Sequence, residues 1–262
     1  MYLSSSASIN VDRTDIVSRD YNAEARDHPE HRYAYDFDYL MHEYMLKSFA
    51  PFFVSDNVLE LGCFEGNFTK QLKKRFSSVE VVEASSDCIA IASDNVGHEV
   101  KFHHSTFETF EPARRYDNIF LIHTLEHLDH SVQVLSRIGQ WLTDGGRLFV
   151  ATPNARAASR QIAVNMGLIA HTAAVTPAEA AHGHRVTYSL DTLRADICAA
   201  KLRPVIQGGI IFKGLANFQI DAALKAGIIS REYLDGCYEL GRVYPDLCSS
   251  IYVICERGAV TD

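Results

Sequence analysis

The stretch VLELGCFEGNFT, residues 58–69, constrains the fold of this chain more than any other. A strand over NVLEL (57–61) runs directly into Gly62-Cys63-Phe64-Glu65-Gly66, and then into a helix whose Phe68, Leu72 and Phe76 share one face. Glycine lets the backbone turn sharply and approach a ligand closely, and the start of the helix offers unpaired N–H groups. The next strand, VEVVEA at 79–84, ends on Glu83, 23 residues beyond Glu60. A carboxylate there can accept hydrogen bonds from both hydroxyls of a ribose. Strand, glycine turn, helix, strand and acid, in that order, predict a nucleoside site at the carboxyl edge of a parallel sheet.

The alternation continues along the chain. A helix is expected from Asp87 to about Asn95, then a strand at VKFHH (100–104), and YDNIFLIH (116–123) has the unbroken apolar run of a strand buried on both faces. Val134, Leu135, Ile138 and Leu142 line a helix that stops before Asp144-Gly145-Gly146, and RLFVATP (147–153) is a fifth strand. A helix near 189–201 precedes PVIQGGIIFKG and SSIYVICER, a terminal pair expected to be antiparallel and joined by a short helical stretch and a turn at Tyr244-Pro245-Asp246. The predicted fold class is therefore α/β, a doubly wound seven-stranded sheet, mostly parallel with an antiparallel terminal strand. Phe37, Leu40, Met41, Tyr44, Met45 and Phe49 fall at helical spacing and predict an N-terminal helical cap. We read residues 1–36 as an N-terminal extension and lid, frayed over 1–14, and 37–262 as a single domain. Residues 155–186, interrupted by Gly167, Pro177 and Gly183, are expected to be an insertion over the active edge.

Apolar residues make up 47% of the 262, enough for a large core, and the net charge of −8 argues against a long nucleic-acid ligand. Six scattered cysteines without a C-x-x-C pair point to reduced thiols in a cytoplasmic protein. The N-terminus has neither the basic nor the apolar segment of a signal peptide. No apolar run approaches the roughly 20 residues that span a bilayer.

A dinucleotide site wants G-x-G-x-x-G with close approach to a pyrophosphate. Here Phe64 would block that approach and Glu65 would repel the phosphates. The acid-x-Gly-x-x-x-Gly pattern instead resembles motif I of the class I S-adenosylmethionine-dependent methyltransferases, in most of which another glycine stands where this chain has Phe64. EASSD, HSTFETF, YDNIFLIHTLEHL and LTDGGRLFVATPN resemble the same family in order and spacing over residues 38–155, most closely its small-molecule members, which include quinone and sugar modifiers. The resemblance implies a Rossmann-like fold and S-adenosyl-L-methionine as cofactor. It places the methionyl tail against Glu60, Gly62, Cys63 and Gly66, the ribose at Glu83 with Ala84 beside it, and the adenine along Thr106 and Phe107.

HTLEHLDH (123–130) contains His-x-x-Glu-His, the signature of an inverted zinc-peptidase helix. That chemistry needs His123 and His127 on one face of a continuous helix. His123 instead closes a predicted strand, with Asp129 or Ser131 expected to cap a helix starting near Val132. No metal is therefore assigned. His123 lies where the methyl group would emerge, as a cofactor contact and a candidate proton acceptor. Glu126 and His127 are read as bracing the turn, and His182 and His184 as residues able to close over substrate. Tyr21, Tyr33 and Tyr35 are candidate lid contacts.

The expected activity is methyl transfer to a small-molecule acceptor, with a hydroxyl of a sugar or related metabolite as first choice. The asparagine-proline-proline-aromatic motif of base and glutamine methyltransferases is absent, since Ile122-His123-Thr124-Leu125 stands in its place. No nucleic acid and no membrane span are expected, and a second copy of the chain is a candidate partner. Two alternatives stay open: a degenerate methyltransferase fold that binds or scaffolds, and an NAD-dependent oxidoreductase.

Overall fold

The computed structural model describes residues 19–26, 34–97 and 99–258. The expected frayed start and Tyr33 lie outside the described residues. In chain order the elements are α1 (Tyr21–Glu24), α2 (Asp36–Phe49), β1 (Asn57–Leu61), α3 (Asn67–Lys73), β2 (Ser78–Glu83), α4 (Ser86–Val96), β3 (Lys101–His104), β4 (Tyr116–Ile122) and α5 (Ser131–Trp141). They continue with β5 (Leu142–Pro153), α6 (Ala158–Asn165), α7 (Pro177–Ala181), α8 (Leu190–Ala199), β6 (Leu202–Phe212), α9 (Asn217–Lys225), α10 (Arg231–Val243) and β7 (Cys248–Arg257).

The seven strands form one sheet in the order β3-β2-β1-β4-β5-β7-β6. β1 to β5 are parallel, and β7 runs antiparallel between β5 and β6. The order reverses between β1 and β4, which opens a ligand crevice beyond their carboxyl ends. Period-two alternation sends side chains to two cores. Val58, Phe120 and Phe149 pack under α2 and α3, with the Phe120 and Phe149 rings stacked at 4.7 Å. Leu59, Ile119 and Leu148 face the other way, onto Leu135 and Ile138 of α5 and Leu193 and Ile197 of α8. Each such fully buried side chain contributes about 1.5–3 kcal/mol.

Three local expectations differ from the structure. Neither Asp129 nor Ser131 caps α5; the residue before it is His130, which makes no side-chain cap bond. Both candidates have distant partners instead, since Asp129 accepts from Arg185 Nε at 3.0 Å and Ser131 donates to Asp196 at 2.8 Å. β5 begins at Leu142, before the Asp-Gly-Gly turn, and its register against β4 shifts between Tyr116 and Asn118. The β6–β7 connection carries two helices, α9 and α10, rather than one short stretch. The Gly208-Gly209 pair serves packing: a Cβ at Gly208 would lie 2.6 Å from the Tyr252 hydroxyl, and one at Gly209 2.5 Å from the Pro245 carbonyl.

Candidate active site

A cavity of about 700 Å³ opens at the switch point, where β1, β2 and β4 end. Of the residues singled out from sequence, Glu60, Gly62, Cys63, Glu83, Ala84, Phe107 and His123 all stand in its wall. Gly66 and Thr106 stand outside it. Gly66 precedes α3 with a left-handed φ of 79°, and Thr106 shares a 3.0 Å hydrogen bond with Thr109.

The turn after β1 is held by Glu83. Its Oε2 accepts from the backbone N–H groups of Cys63 (3.0 Å) and Phe64 (3.2 Å), and its Oε1 accepts from Ser85 N–H (2.9 Å). A carboxylate has about four acceptor positions, so these three bonds leave one for a ligand hydroxyl. Gly62 is required for two reasons: its φ is 77°, and a Cβ would sit 2.7 Å from Thr124 Oγ1. Phe64, also left-handed at φ 49°, holds a conformation in which an L side chain costs about 1–2 kcal/mol.

Glu60 is 1% exposed, and its Oε2 has no hydrogen-bond partner among the described residues. Burial pushes its carboxyl up to about 8, and the Glu83 charge adds to the rise. A buried acceptor without a donor, on the wall of a cavity, is suited to a cationic or hydrogen-bonding ligand group.

At the end of β4 the chain kinks at His123, whose φ is 49°. Its backbone N–H donates to Ala151 O at 2.8 Å, and its Nε2 shares a 2.9 Å hydrogen bond with Ser250 Oγ of β7. Burial drives the imidazole down to about 3, helped by His42 and His184. β4 stops at Ile122, and Leu125–His127 is a single 3-10 turn, so His123 and His127 share no helix face.

Other parts of the wall come from residues that the sequence did not mark as functional. α2 contributes Asp38 and His42, and the chain beyond β6 contributes Asn217. Burial pushes Asp38 up to about 6 and His42 down to about 4. The legible signal was a polar pair at i, i+4 beside the apolar stripe of Phe37, Met41 and Met45. Ser250 gave no such signal, because only β7 pairing brings it to His123. Tyr21 and Tyr35 also stand in the wall, as do Glu179, His182 and His184 from the segment after β5.

A doubly wound sheet with this strand order, a glycine turn at the switch point and a carboxylate at the end of β2 together define a nucleoside-binding α/β protein. A methyltransferase-domain family model matches residues 31–203, and the chain belongs to that family. It is similar to malonyl-[acyl-carrier protein] O-methyltransferase 1 of Ilyobacter polytropus, 27% identical over 100 residues that make up 37% of each chain. It is also similar to the malonyl-[acyl-carrier protein] O-methyltransferase of Bacillus cereus, 36% identical over 102 residues, 37% of this chain and 38% of that one. The match thus spans under two fifths of the length of these relatives. Among solved structures, the fold is shared with the N-methyltransferase NodS of Bradyrhizobium japonicum in complex with S-adenosylhomocysteine, at 14% identity and a TM-score of 0.54 over 86% of this chain and 89% of that one. An S-adenosylmethionine-dependent methyltransferase of Leishmania major matches at 16% identity and a TM-score of 0.58, over 84% and 74%.

The family and the fold are those of methyltransferases, and the NodS neighbour carries S-adenosylhomocysteine, the product form of the S-adenosylmethionine that the sequence leads one to expect. The residues present fit that group: Glu60 offers an unpartnered buried carboxylate oxygen, Gly62 leaves the space a Cβ would fill, and Glu83 keeps an acceptor position open. No helix among the described residues is long and apolar enough to cross a membrane.

Proposed function

We propose that this methyltransferase acts on a hydroxyl oxygen of a polar small molecule, a sugar or related metabolite. The observation that carries the proposal is the row of carboxyl groups in the wall away from the glycine turn. It holds Glu24, Asp38, Glu126 and Glu179, together with Tyr39 and Asn217. Among the described wall residues Arg19 is the one guanidinium or ammonium, and Glu24 already pairs with it at 2.6 Å. Such a wall offers many acceptors to hydroxyl groups and little to an anion.

The chemistry the cofactor supplies is an electrophilic methyl carbon on a sulfonium, so the protein's task is alignment, a contribution of about 7–11 kcal/mol when complete. Glu83, Ala84 and Phe107 would hold the nucleoside, and Glu60, Gly62 and Cys63 the methionyl end. Gly66 acts from behind, by shaping the start of α3. His123 is neutral at pH 7 and a weak base, because its burial disfavours the imidazolium. It therefore orients the acceptor hydroxyl by accepting a hydrogen bond, and Ser250 fixes its ring. The N-terminal segment and the segment over 155–186 act as the cover. Arg19 donates to the His127 carbonyl at 2.6 Å, and Arg185 reaches both Glu24 and Asp129. Supporting this role, Tyr21 and Tyr35 stand in the same wall.

A second reading comes from the relatives named malonyl-[acyl-carrier protein] O-methyltransferases, with a carboxylate oxygen of a carrier-linked malonyl group as acceptor. It would make Arg19 the carboxylate anchor. Methyl-labelled cofactor offered with hydroxylated sugars and with carrier-linked malonate separates the two, because an ether survives mild alkali and a methyl ester does not. Alkali-stable label on a sugar supports the proposal. Alkali-labile label on the malonyl substrate alone overturns it in favour of the second reading.

A further inference from the structure

We propose that Glu126, His127 and His184 form a binding site for a divalent transition-metal ion on the cavity wall. The carboxylate and the two imidazoles each present a ligand atom, and these atoms lie within 4.8 Å of one another. Two imidazoles and one carboxylate are the donor set that suits zinc or ferrous iron, and a poor set for magnesium or calcium, which prefer all-oxygen shells. Three protein ligands leave coordination positions open, and all three residues face the cavity.

A second observation points to a ligand independently of this clustering. Glu126 is 1% exposed, and neither of its carboxylate oxygens has a hydrogen-bond partner among the described residues. A buried carboxylate without donors is costly unless something cationic or protic fills the space beside it. Among the described residues no guanidinium does so. Arg19 is engaged by Glu24 and by the His127 carbonyl, Arg185 by Asp129 and Glu24, and Arg160 by Glu179.

The backbone explains how residues 58 positions apart in sequence come together. The Glu126 carbonyl accepts from Arg185 N–H at 2.8 Å and from Val186 N–H at 3.4 Å, which lays the segment carrying His184 along the turn carrying His127. The two rings meet edge to face, with centroids 4.5 Å apart. A shared ion about 2.0–2.2 Å from each ligand requires ligand atoms about 3.4 Å apart in a tetrahedral shell. The ligand atoms, within 4.8 Å of one another, would have to draw together by about 1.4 Å at most. His123 belongs to none of this: its ring is turned to Ser250, so the cluster is not the peptidase arrangement that His-x-x-Glu-His suggests. Resting on the methyl-transfer proposal, the open side of the ion would take an acceptor oxygen.

The test is titration of the full chain, stripped with chelator, with Co²⁺ read by its visible absorbance and with Zn²⁺ as competitor. One equivalent should bind saturably and be displaced by zinc. His184→Ala and Glu126→Gln should each weaken binding on the order of 10–100-fold or more, while the exposed His171→Ala should not. Thermal melts establish that each variant is folded, and His184→Ala, in the covering segment, serves if Glu126→Gln is not. No saturable binding, or equal binding by wild type and His184→Ala, overturns the site. S-adenosylhomocysteine titrated into the same samples keeps the two proposals apart. Nucleoside binding without metal binding sinks only the metal site, and the converse sinks only the methyltransferase site.

Discussion

Replacing Glu60 by glutamine should change how the stability of the ligand-free protein depends on pH. Glu60 is buried at the end of β1 with one oxygen unpartnered, and burial raises its carboxyl to about 8, against about 4.3 for an unperturbed glutamate. The folded state therefore holds a proton that the unfolded chain releases above pH 4.3. More protons bound in the folded state means that stability falls as pH rises. The contribution is fully present below the unfolded value and is lost as pH climbs to the folded one. Across pH 5.5 to 7.5 the loss amounts to about 2–3 kcal/mol. Glutamine keeps the shape and cannot ionise, so Glu60→Gln should lack that slope. The assay is urea unfolding of nucleoside-free protein at both pH values. With a urea dependence near 3 kcal/mol per molar, the wild-type midpoint should drop by about 0.8 M more than that of the variant. Parallel pH curves for the two proteins would refute the claim that Glu60 is folded in its neutral form.

Two substitutions in the glycine turn should have opposite outcomes despite lying two residues apart. Gly62→Ala places a Cβ against Thr124 in a left-handed conformation and should abolish binding of S-adenosylhomocysteine in calorimetry, whereas Phe64→Gly relieves a left-handed phenylalanine and should shift stability by no more than about 1 kcal/mol either way. Ser250→Ala removes the partner of His123 Nε2; with the ring less firmly held, kcat should fall while cofactor affinity stays unchanged, and a cost of about 1–3 kcal/mol should appear in unfolding.

The part of the cavity wall at the glycine turn was legible because it is local. Glu60, Gly62 and Cys63 follow one another, and Glu83 ends the next strand, so patterning alone placed them at one sheet edge. What was not legible depends on distant partners. The α5 cap failed because Asp129 and Ser131 found Arg185 and Asp196 instead of the nearby helix N–H groups. The connection between β6 and β7 holds two helices where the sequence predicts one short stretch, although Leu234, Cys237, Tyr238 and Gly241 mark a helical face in α10, because the turn residues there are more conspicuous than the period. His184 could be named as a residue near substrate, but its meeting with Glu126 and His127 depends on the backbone bonds of Arg185 and Val186, which no spacing rule encodes.

The two N–H groups of the turn gathered by Glu83, those of Cys63 and Phe64, have a calorimetric consequence. They shape the glycine turn before any nucleoside arrives, so little chain entropy remains to be lost when one binds. The heat-capacity change of nucleoside binding should then report only the apolar surface covered inside the cavity, without the larger signal that accompanies folding of a disordered loop.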